Sequence, residues 1–184
     1  MSYEANFNTA LTYIRSGLPD RAVECLYKAL AGVSVNEKNK DNVIYLRILT
    51  LLARLGIERG RRDEALNYIN EGLNLKDNHS DLLFLSSLYY FDEKRYDEMT
   101  GTLITYLVSL TQSDAAGYDY EFTGTGALKE VFERLIPASY SKAVSRREIR
   151  DIISQLSEKT GSELLKHAYK IMLEIDERRQ AINA

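Results

Sequence analysis

Apolar residues between positions 42 and 59 recur at steps of three and four residues, which is the period of one face of an α-helix. Gly60 follows this stretch, and glycine readily adopts the left-handed conformation that ends helices. A second stripe of the same period begins after Asp63. The pattern predicts two helices joined by a tight turn, with apolar residues Leu46, Leu49, Ala53 and Ile57 in the first helix and Leu66, Tyr68, Ile69 and Leu73 in the second.

This hairpin design recurs along the chain. The stretch DEALNYINEGL begins at Asp63, and a weaker copy, DEMTGTLITYL, begins 34 residues later at Asp97. An earlier copy, PDRAVECLYKAL, begins at Pro19, a residue that suits the first turn of a helix. Ser80 is the predicted N-cap of the helix that precedes the copy at Asp97. Because a single hairpin buries its apolar face only by stacking on a neighbour, we expect three stacked hairpins within residues 1–112, at about 3–31, 42–76 and 80–111.

The last third of the chain has a different pattern. Residues 113–126 form a polar insertion, SDAAGYDYEFTGTG, and ALKEVFERLI then predicts a helix that Pro137 helps to end. Ser145 and Thr160 each open a sequence typical of a capping box, SRRE and TGSE. We expect residues 127–184 to form a degenerate fourth hairpin and a capping helix, with apolar faces Ile149, Ile152, Ile153 and Leu156, and Leu165, Ala168, Met172 and Ile175.

Composition and charge narrow the class of protein. The 184 residues are 45% hydrophobic and carry a formal net charge of −3, which gives no electrostatic attraction for nucleic acid or an anionic membrane. The N-terminus does not resemble a secretory signal, and no stretch reaches the roughly 18 apolar residues that cross a bilayer. Cys25, the single cysteine, cannot form an internal disulfide. We therefore expect a soluble, cytoplasmic protein.

The repeated positions resemble those of the tetratricopeptide repeat (TPR) family, which places small residues where helices touch. The chain departs from the family pattern in lacking tryptophan and in Gly56, where the other two hairpins have Tyr13 and Tyr90. In hairpin order, the four matching positions hold Ala10, Ala53 and Ser87; Ala22, Ala65 and Met99; Leu26, Ile69 and Leu103; and Ala29, Gly72 and Tyr106.

The resemblance implies an all-α fold, a TPR-like α-solenoid in which the hairpins stack into a right-handed superhelix with C-terminal capping helices. Such arrays bind partners through a concave surface lined by the first helices, so it also implies a non-catalytic scaffold for a protein or peptide. Two alternatives stay open: the C-terminal helices fill the groove, or the chain forms a homodimer. Arginines beside aromatic residues favour an acidic or aromatic peptide segment. The implied partner-binding residues are Phe7, Leu11, Ile14, Arg47, Thr50, Arg54, Asp81, Phe84, Leu88 and Phe91.

A narrower resemblance concerns the order of the repeats, the insertion and the stretch YEFTGTGALKEVFERL. This order is similar to the repeat region of some bacterial GT-A-type glycosyltransferases. It implies an alternative function, an accessory region that positions a substrate or dimerises. The sequence has no Asp-x-Asp metal–nucleotide motif, so the resemblance does not imply catalytic activity.

Few patterns indicate chemistry. GTGALK, ending at Lys129, opens a predicted helix whose free N–H groups favour anions, but it lacks the dinucleotide and P-loop spacings, so a plain helix start is favoured. His79 and His167 have no metal-ligand spacing, and His79 is typical of a solvated loop residue. Cys25 is favoured as a structural thiol over a nucleophile. We predict no catalytic residue, no metal and no cofactor.

Two further stretches have open interpretations. SRREIRD, from Ser145 to Asp151, is interpreted as a solvated helix face with intrahelical ion pairs. YDYEF, within the insertion, either folds back over the array or presents its aromatic rings to a partner, and packing is favoured.

Overall fold

The computed structural model describes residues 1–112 and 120–183. In these two ranges all regular structure is helical, which confirms the predicted all-α, TPR-like fold class. The right-handed superhelix stays a prediction. The helices are α1 (Tyr3–Arg15), α2 (Pro19–Gly32), α3 (Val43–Glu58), α4 (Arg62–Leu75), α5 (Ser80–Asp92), α6 (Tyr96–Gln112), α7 (Thr125–Glu130), α8 (Ile136–Tyr140), α9 (Arg146–Thr160) and α10 (Glu163–Asn183), with a 3₁₀ turn at Val35–Glu37 and a π-helical segment at Val131–Leu135.

The chain divides into two compact units, Met1–Leu85 and Ser86–Ala184. In the first unit α1 packs on α2, α3 packs on α4, and α3 also contacts both α1 and α2. In the second unit α8, α9 and α10 contact α6, and α9 packs on α10. The predicted division into three hairpins, an insertion and C-terminal helices stays a prediction.

Local sequence determines where the helices of the first unit begin and end. Gly17 and Gly60 follow α1 and α3 with φ of +67° and +71°, a conformation that glycine adopts without strain. Pro19 opens α2, where a missing N–H costs nothing. Asn42 caps α3, because its side-chain oxygen accepts a hydrogen bond from the Tyr45 N–H at 3.1 Å.

The residues that match the repeat pattern lie where helices pack closely. All twelve are buried, four in each hairpin. Gly56, which departs from the pattern, has a steric reason: a Cβ added there would lie 3.0 Å from the Ala65 Cβ and 3.3 Å from the Arg61 carbonyl oxygen. The tyrosine of the other hairpins has no room at position 56, because α3 and α4 approach too closely.

The start of α5 differs from the prediction. Ser80 is the first helical residue rather than the N-cap, and His79 takes the capping role, because its Nδ1 accepts a hydrogen bond from the Leu82 N–H at 3.3 Å. The expectation that His79 is a solvated loop residue is also wrong, since its side chain is fully buried. Burial, aided by the positive charge of Lys76, lowers the pKa of His79 to about 4.

The predicted helix at residues 127–136 is present, but the expectation that Pro137 helps to end it is wrong. Helical structure continues from Thr125 to Tyr140, through the π-helical segment Val131–Leu135. Proline lacks an N–H and crowds the preceding turn of an α-helix. The wider turns directly before Pro137 accommodate it, so the chain passes the proline without leaving the helical path.

The capping box predicted at Ser145 is wrong. Ser145 precedes α9, but its side chain makes no capping hydrogen bond. Instead Asp97, in the first turn of α6, accepts hydrogen bonds from the N–H groups of Val144 and Ser145, each at 3.0 Å. A carboxylate from another helix therefore satisfies the backbone where the local sequence predicted a self-contained cap.

The box predicted at Thr160 is also wrong. Gly161 follows Thr160 with φ of +67° and ends α9, so Thr160 belongs to the end of one helix rather than to the start of the next. Ser162 caps α10, and its Oγ accepts a hydrogen bond from the Leu165 N–H at 3.4 Å.

The apolar face of α9 is narrower than predicted. Ile149 and Ile153 are buried, whereas Ile152 is 53% exposed and does not belong to the buried face. The buried stripe runs through Ile149, Ile153 and Ser157 in steps of four residues, which rotates Ile152 away from the core.

Candidate functional site

The α1–α3 face is the part of the predicted concave surface that lies within the first unit. It consists of Phe7, Leu11 and Ile14 of α1 and Arg47, Thr50 and Arg54 of α3. The two helices contact each other, and the Arg47 guanidinium lies over the Phe7 ring, with its Cζ 5.6 Å from the ring centroid. The ring face attracts the cation. The structure therefore brings together one predicted residue from each helix.

Burial separates these residues into two groups. Phe7 is 3% exposed and Thr50 is 3% exposed, so both belong to the interior, and Thr50 Oγ1 donates to the Leu46 carbonyl at 2.9 Å. The other four members of the α1–α3 face are partly exposed: Leu11, Ile14, Arg47 and Arg54. The surface that a partner meets in this unit is therefore two aliphatic side chains and two guanidinium groups.

Arg47 and Arg54 are seven residues apart on α3, which places them two turns apart on one side of the helix. The Arg54 side chain is 18% exposed, and its Nε lies 3.7 Å from Oε1 of Glu58. Arg54 is thus held by the rest of the protein, whereas Arg47 rests on an aromatic ring. Together they form a positively charged row beside an apolar surface.

The predicted residues of α5 are divided between the two units. Asp81 and Phe84 lie in the first unit and are buried, at 2% and 5% exposure. Leu88 and Phe91 lie in the second unit and are partly exposed. Their contribution to one binding surface with the α1–α3 face stays a prediction, as does the alternative in which C-terminal helices fill the groove.

A second cluster, in the second unit, was missed by sequence reasoning. A cavity of about 410 Å³ opens between the start of α9 and the middle of α10; we call it the basic cavity. Its lining residues are Val144, Arg146, Arg147, Arg150, Asp176, Arg179 and Gln180. The sequence signal was the arginine spacing in SRREIRD, but the interpretation as intrahelical pairs is wrong for Arg146 and Arg150, because both pair with Asp176 of α10.

The residues considered for other chemistry have structural settings. Cys25 is half-buried and packs against the apolar core of the first unit. His167 is exposed and lies edge-on to Phe132, with ring centroids 4.6 Å apart. Lys129 is exposed and pairs with Glu133 across one helical turn at 3.9 Å. Among the described residues, no group of three or more His, Cys, Asp or Glu side chains is placed to hold a metal ion.

The YDYEF stretch lies partly outside the described residues. Its described end is tied to α6, because the Tyr106 hydroxyl donates a hydrogen bond to the Phe122 carbonyl. Tyr106 is fully buried and stands where the other two hairpins have Ala29 and Gly72. In the described ranges no helix is long and apolar enough to cross a membrane.

The comparisons with known proteins agree with the first hairpin. Residues 3–31, which span α1 and α2, match the family model described as tetratricopeptide repeat. This match confirms the resemblance to that family and gives no support to the link with glycosyltransferases. A search of curated proteins finds no match for the chain. Repeats of this family generally serve as interaction modules that bind protein partners.

Proposed function

We propose that this chain, whose first hairpin is a tetratricopeptide repeat, is a non-catalytic scaffold that binds an acidic peptide segment on its α1–α3 face. The observation that supports it is the placement of Arg47 over the Phe7 ring, with Arg54 two turns further along α3. The two guanidiniums offer planar sets of donors that suit carboxylates.

The apolar part of the same face indicates what accompanies the acidic residue. Leu11 and Ile14 are partly exposed and pack against the core of the first unit from α1. A segment that places a carboxylate near Arg47 brings an adjacent aromatic or aliphatic side chain to Leu11 or Ile14. The proposed ligand is therefore a short segment that alternates acidic and apolar residues, laid along the groove between two helices.

The test is a peptide array in which acidic and aromatic residues are combined at different spacings. Wild-type protein should select peptides that contain both, and the substitutions Arg47→Glu and Arg54→Glu together should weaken binding at least about tenfold, because each replaces an attraction with a repulsion. Peptides selected on the array are then measured individually by fluorescence anisotropy.

The matched control is Arg21→Glu. Arg21 also lies over a tyrosine ring, that of Tyr13, at 5.8 Å, but it belongs to the exposed side of α2. This variant has the same change of charge and should bind as wild type. If acidic peptides are not selected, or if the Arg47/Arg54 variant binds them unchanged while its circular dichroism shows a folded protein, the proposal is wrong.

A further inference from the structure

The basic cavity concentrates positive charge in a protein whose formal net charge is −3. Four of its lining residues are arginines and one is an aspartate, so the lining has a net charge of +3. Its volume of about 410 Å³ lies in the range of small-ligand sites. A concentration of like charges in one concave site favours an anion of more than one charge.

Asp176 holds two of these arginines in place. Its Oδ2 lies 2.8 Å from Arg150 Nη1, and its Oδ1 lies 3.8 Å from Arg146 Nε. The Asp176 side chain is only 18% exposed, so the pair with Arg150 is partly shielded from water. Arg146 also donates to the Ala143 carbonyl at 3.0 Å. Both guanidiniums are therefore oriented before any ligand arrives.

Tyr140 completes the floor of this arrangement. Its side chain is fully buried, and its hydroxyl lies 2.8 Å from Asp176 Oδ2, to which it donates a hydrogen bond. Burial, together with the Asp176 charge, raises the pKa of Tyr140, so the hydroxyl remains a donor at neutral pH. Asp176 is consequently occupied by three donors on its inner side and serves to fix the arginines.

The remaining two arginines have most of their donors available. Arg179 donates once, from Nη1 to the Ser141 carbonyl at 2.8 Å, and Arg147 is exposed at the start of α9. A guanidinium has five N–H donors in a planar fork. Arg147 and Arg179 come from different helices, so an anion in the cavity receives donors from both sides.

We propose that the basic cavity binds a phosphate group, either of a small phosphorylated metabolite or of a phosphorylated side chain on a protein. A phosphate monoester has close to two negative charges and three acceptor oxygens, which match several guanidinium forks better than a single carboxylate does. This site is separate from the α1–α3 face and does not depend on the function proposed for it.

The experiment is isothermal titration of the full chain at low ionic strength with four probes. These are inorganic phosphate, glucose 6-phosphate, a phosphoserine peptide and the same peptide with glutamate in place of phosphoserine. Binding of the phosphorylated probes, weakened by salt, is expected. Whichever of glucose 6-phosphate and the phosphoserine peptide binds more tightly than inorganic phosphate identifies the source of the group. Equal affinity for all three still supports a phosphate site.

Two variants locate the binding. Arg147→Gln together with Arg179→Gln should weaken phosphate binding at least about tenfold, whereas Arg178→Gln, which removes an exposed arginine outside the lining, should leave it unchanged. Thermal melting of each variant checks that the protein remains folded. Two outcomes overturn the proposal: no binding of any phosphorylated probe, or binding that the double variant does not weaken. Equal binding of the glutamate peptide would reassign the cavity to carboxylates and also overturns it.

Discussion

The side chain of Leu82 occupies the space where a side chain at Gly72 would lie: a Cβ added to Gly72 would stand 2.3 Å from Leu82 Cδ1. Gly72 is in α4, Leu82 is in α5, and both belong to the first unit. Leu82 is fully buried and cannot turn outward without losing its packing. The two helices meet at this point because residue 72 has no side chain.

Gly72→Ala should therefore destabilise the protein by about 1–3 kcal/mol, because the added methyl group forces Leu82 or the helices to shift. Urea denaturation followed by circular dichroism measures the change in the free energy of unfolding. Gly101→Ala is the matched control, since Gly101 lies in α6 with nothing within 4 Å of an added Cβ. That variant should gain about 0.5–1 kcal/mol from helix propensity. Two variants that behave alike would contradict the steric account.

The sequence predicted the helices and their contact positions well because both follow local rules. A three-and-four step of apolar residues identifies a helix face, and small residues at fixed places in each hairpin identify where helices touch. Gly56 illustrates the limit of this reasoning. The sequence shows only that a tyrosine is missing there, and the structure shows that Ala65 leaves no space for one.

The predictions that proved wrong depend on contacts from distant parts of the chain. The N–H groups of Val144 and Ser145 bond to Asp97, which lies 47 and 48 residues away, so no local pattern shows it. Arg150 likewise pairs with Asp176 on another helix. The basic cavity was missed for this reason: its arginines belong to two helices that only the tertiary structure brings together.

His79 should make the protein less stable in mild acid. Its pKa is lowered to about 4 in the folded protein, against 6.5 for the model value, so only the unfolded chain binds a proton between these limits. The stability that depends on neutral His79 is fully present above pH 6.5 and is lost as the pH falls towards 4, at up to about 1.4 kcal/mol per pH unit. Urea denaturation at several pH values in this window measures the slope.

The variant His79→Asn keeps a capping side chain but cannot titrate, so its stability should fall less steeply than that of wild type over the same pH window. His167→Asn is the control: His167 is exposed, and this variant should retain the wild-type slope. Parallel curves for His79→Asn and wild type would show that His79 is not responsible for acid sensitivity.

Neighbouring isoleucines on α9 should differ sharply in their effect on stability. Ile153 is fully buried, so Ile153→Ala should cost about 2–5 kcal/mol through lost burial and an unfilled cavity. Ile152 is 53% exposed, so Ile152→Ala, the same chemical change one residue away, should alter stability by less than about 0.5 kcal/mol. Thermal melting of both variants measures the difference, and similar losses would mean that the apolar face includes Ile152 after all.

Tyr45 should contribute to alkaline sensitivity. Its side chain is fully buried, and its hydroxyl donates a hydrogen bond to Glu71 of α4. Burial, followed by the hydrogen bond and the charge of Glu71, raises the pKa of Tyr45, so the folded protein retains a proton that the unfolded chain loses near pH 10. The stability that Tyr45 provides is therefore fully present below pH 10 and is lost as the pH rises above it.

The variant Tyr45→Phe removes both the hydroxyl and its titration. At neutral pH it should cost about 1–3 kcal/mol, because the partly buried Glu71 loses a donor. Above pH 10 the free energy of unfolding should fall less steeply for Tyr45→Phe than for wild type, so the difference between them narrows as the pH rises. Urea denaturation at neutral pH and at several values above 10 measures both effects. A difference that stays constant across the alkaline range would show that Tyr45 ionises equally in the folded and unfolded chains, and the hydrogen bond to Glu71 would then have no part in alkaline unfolding.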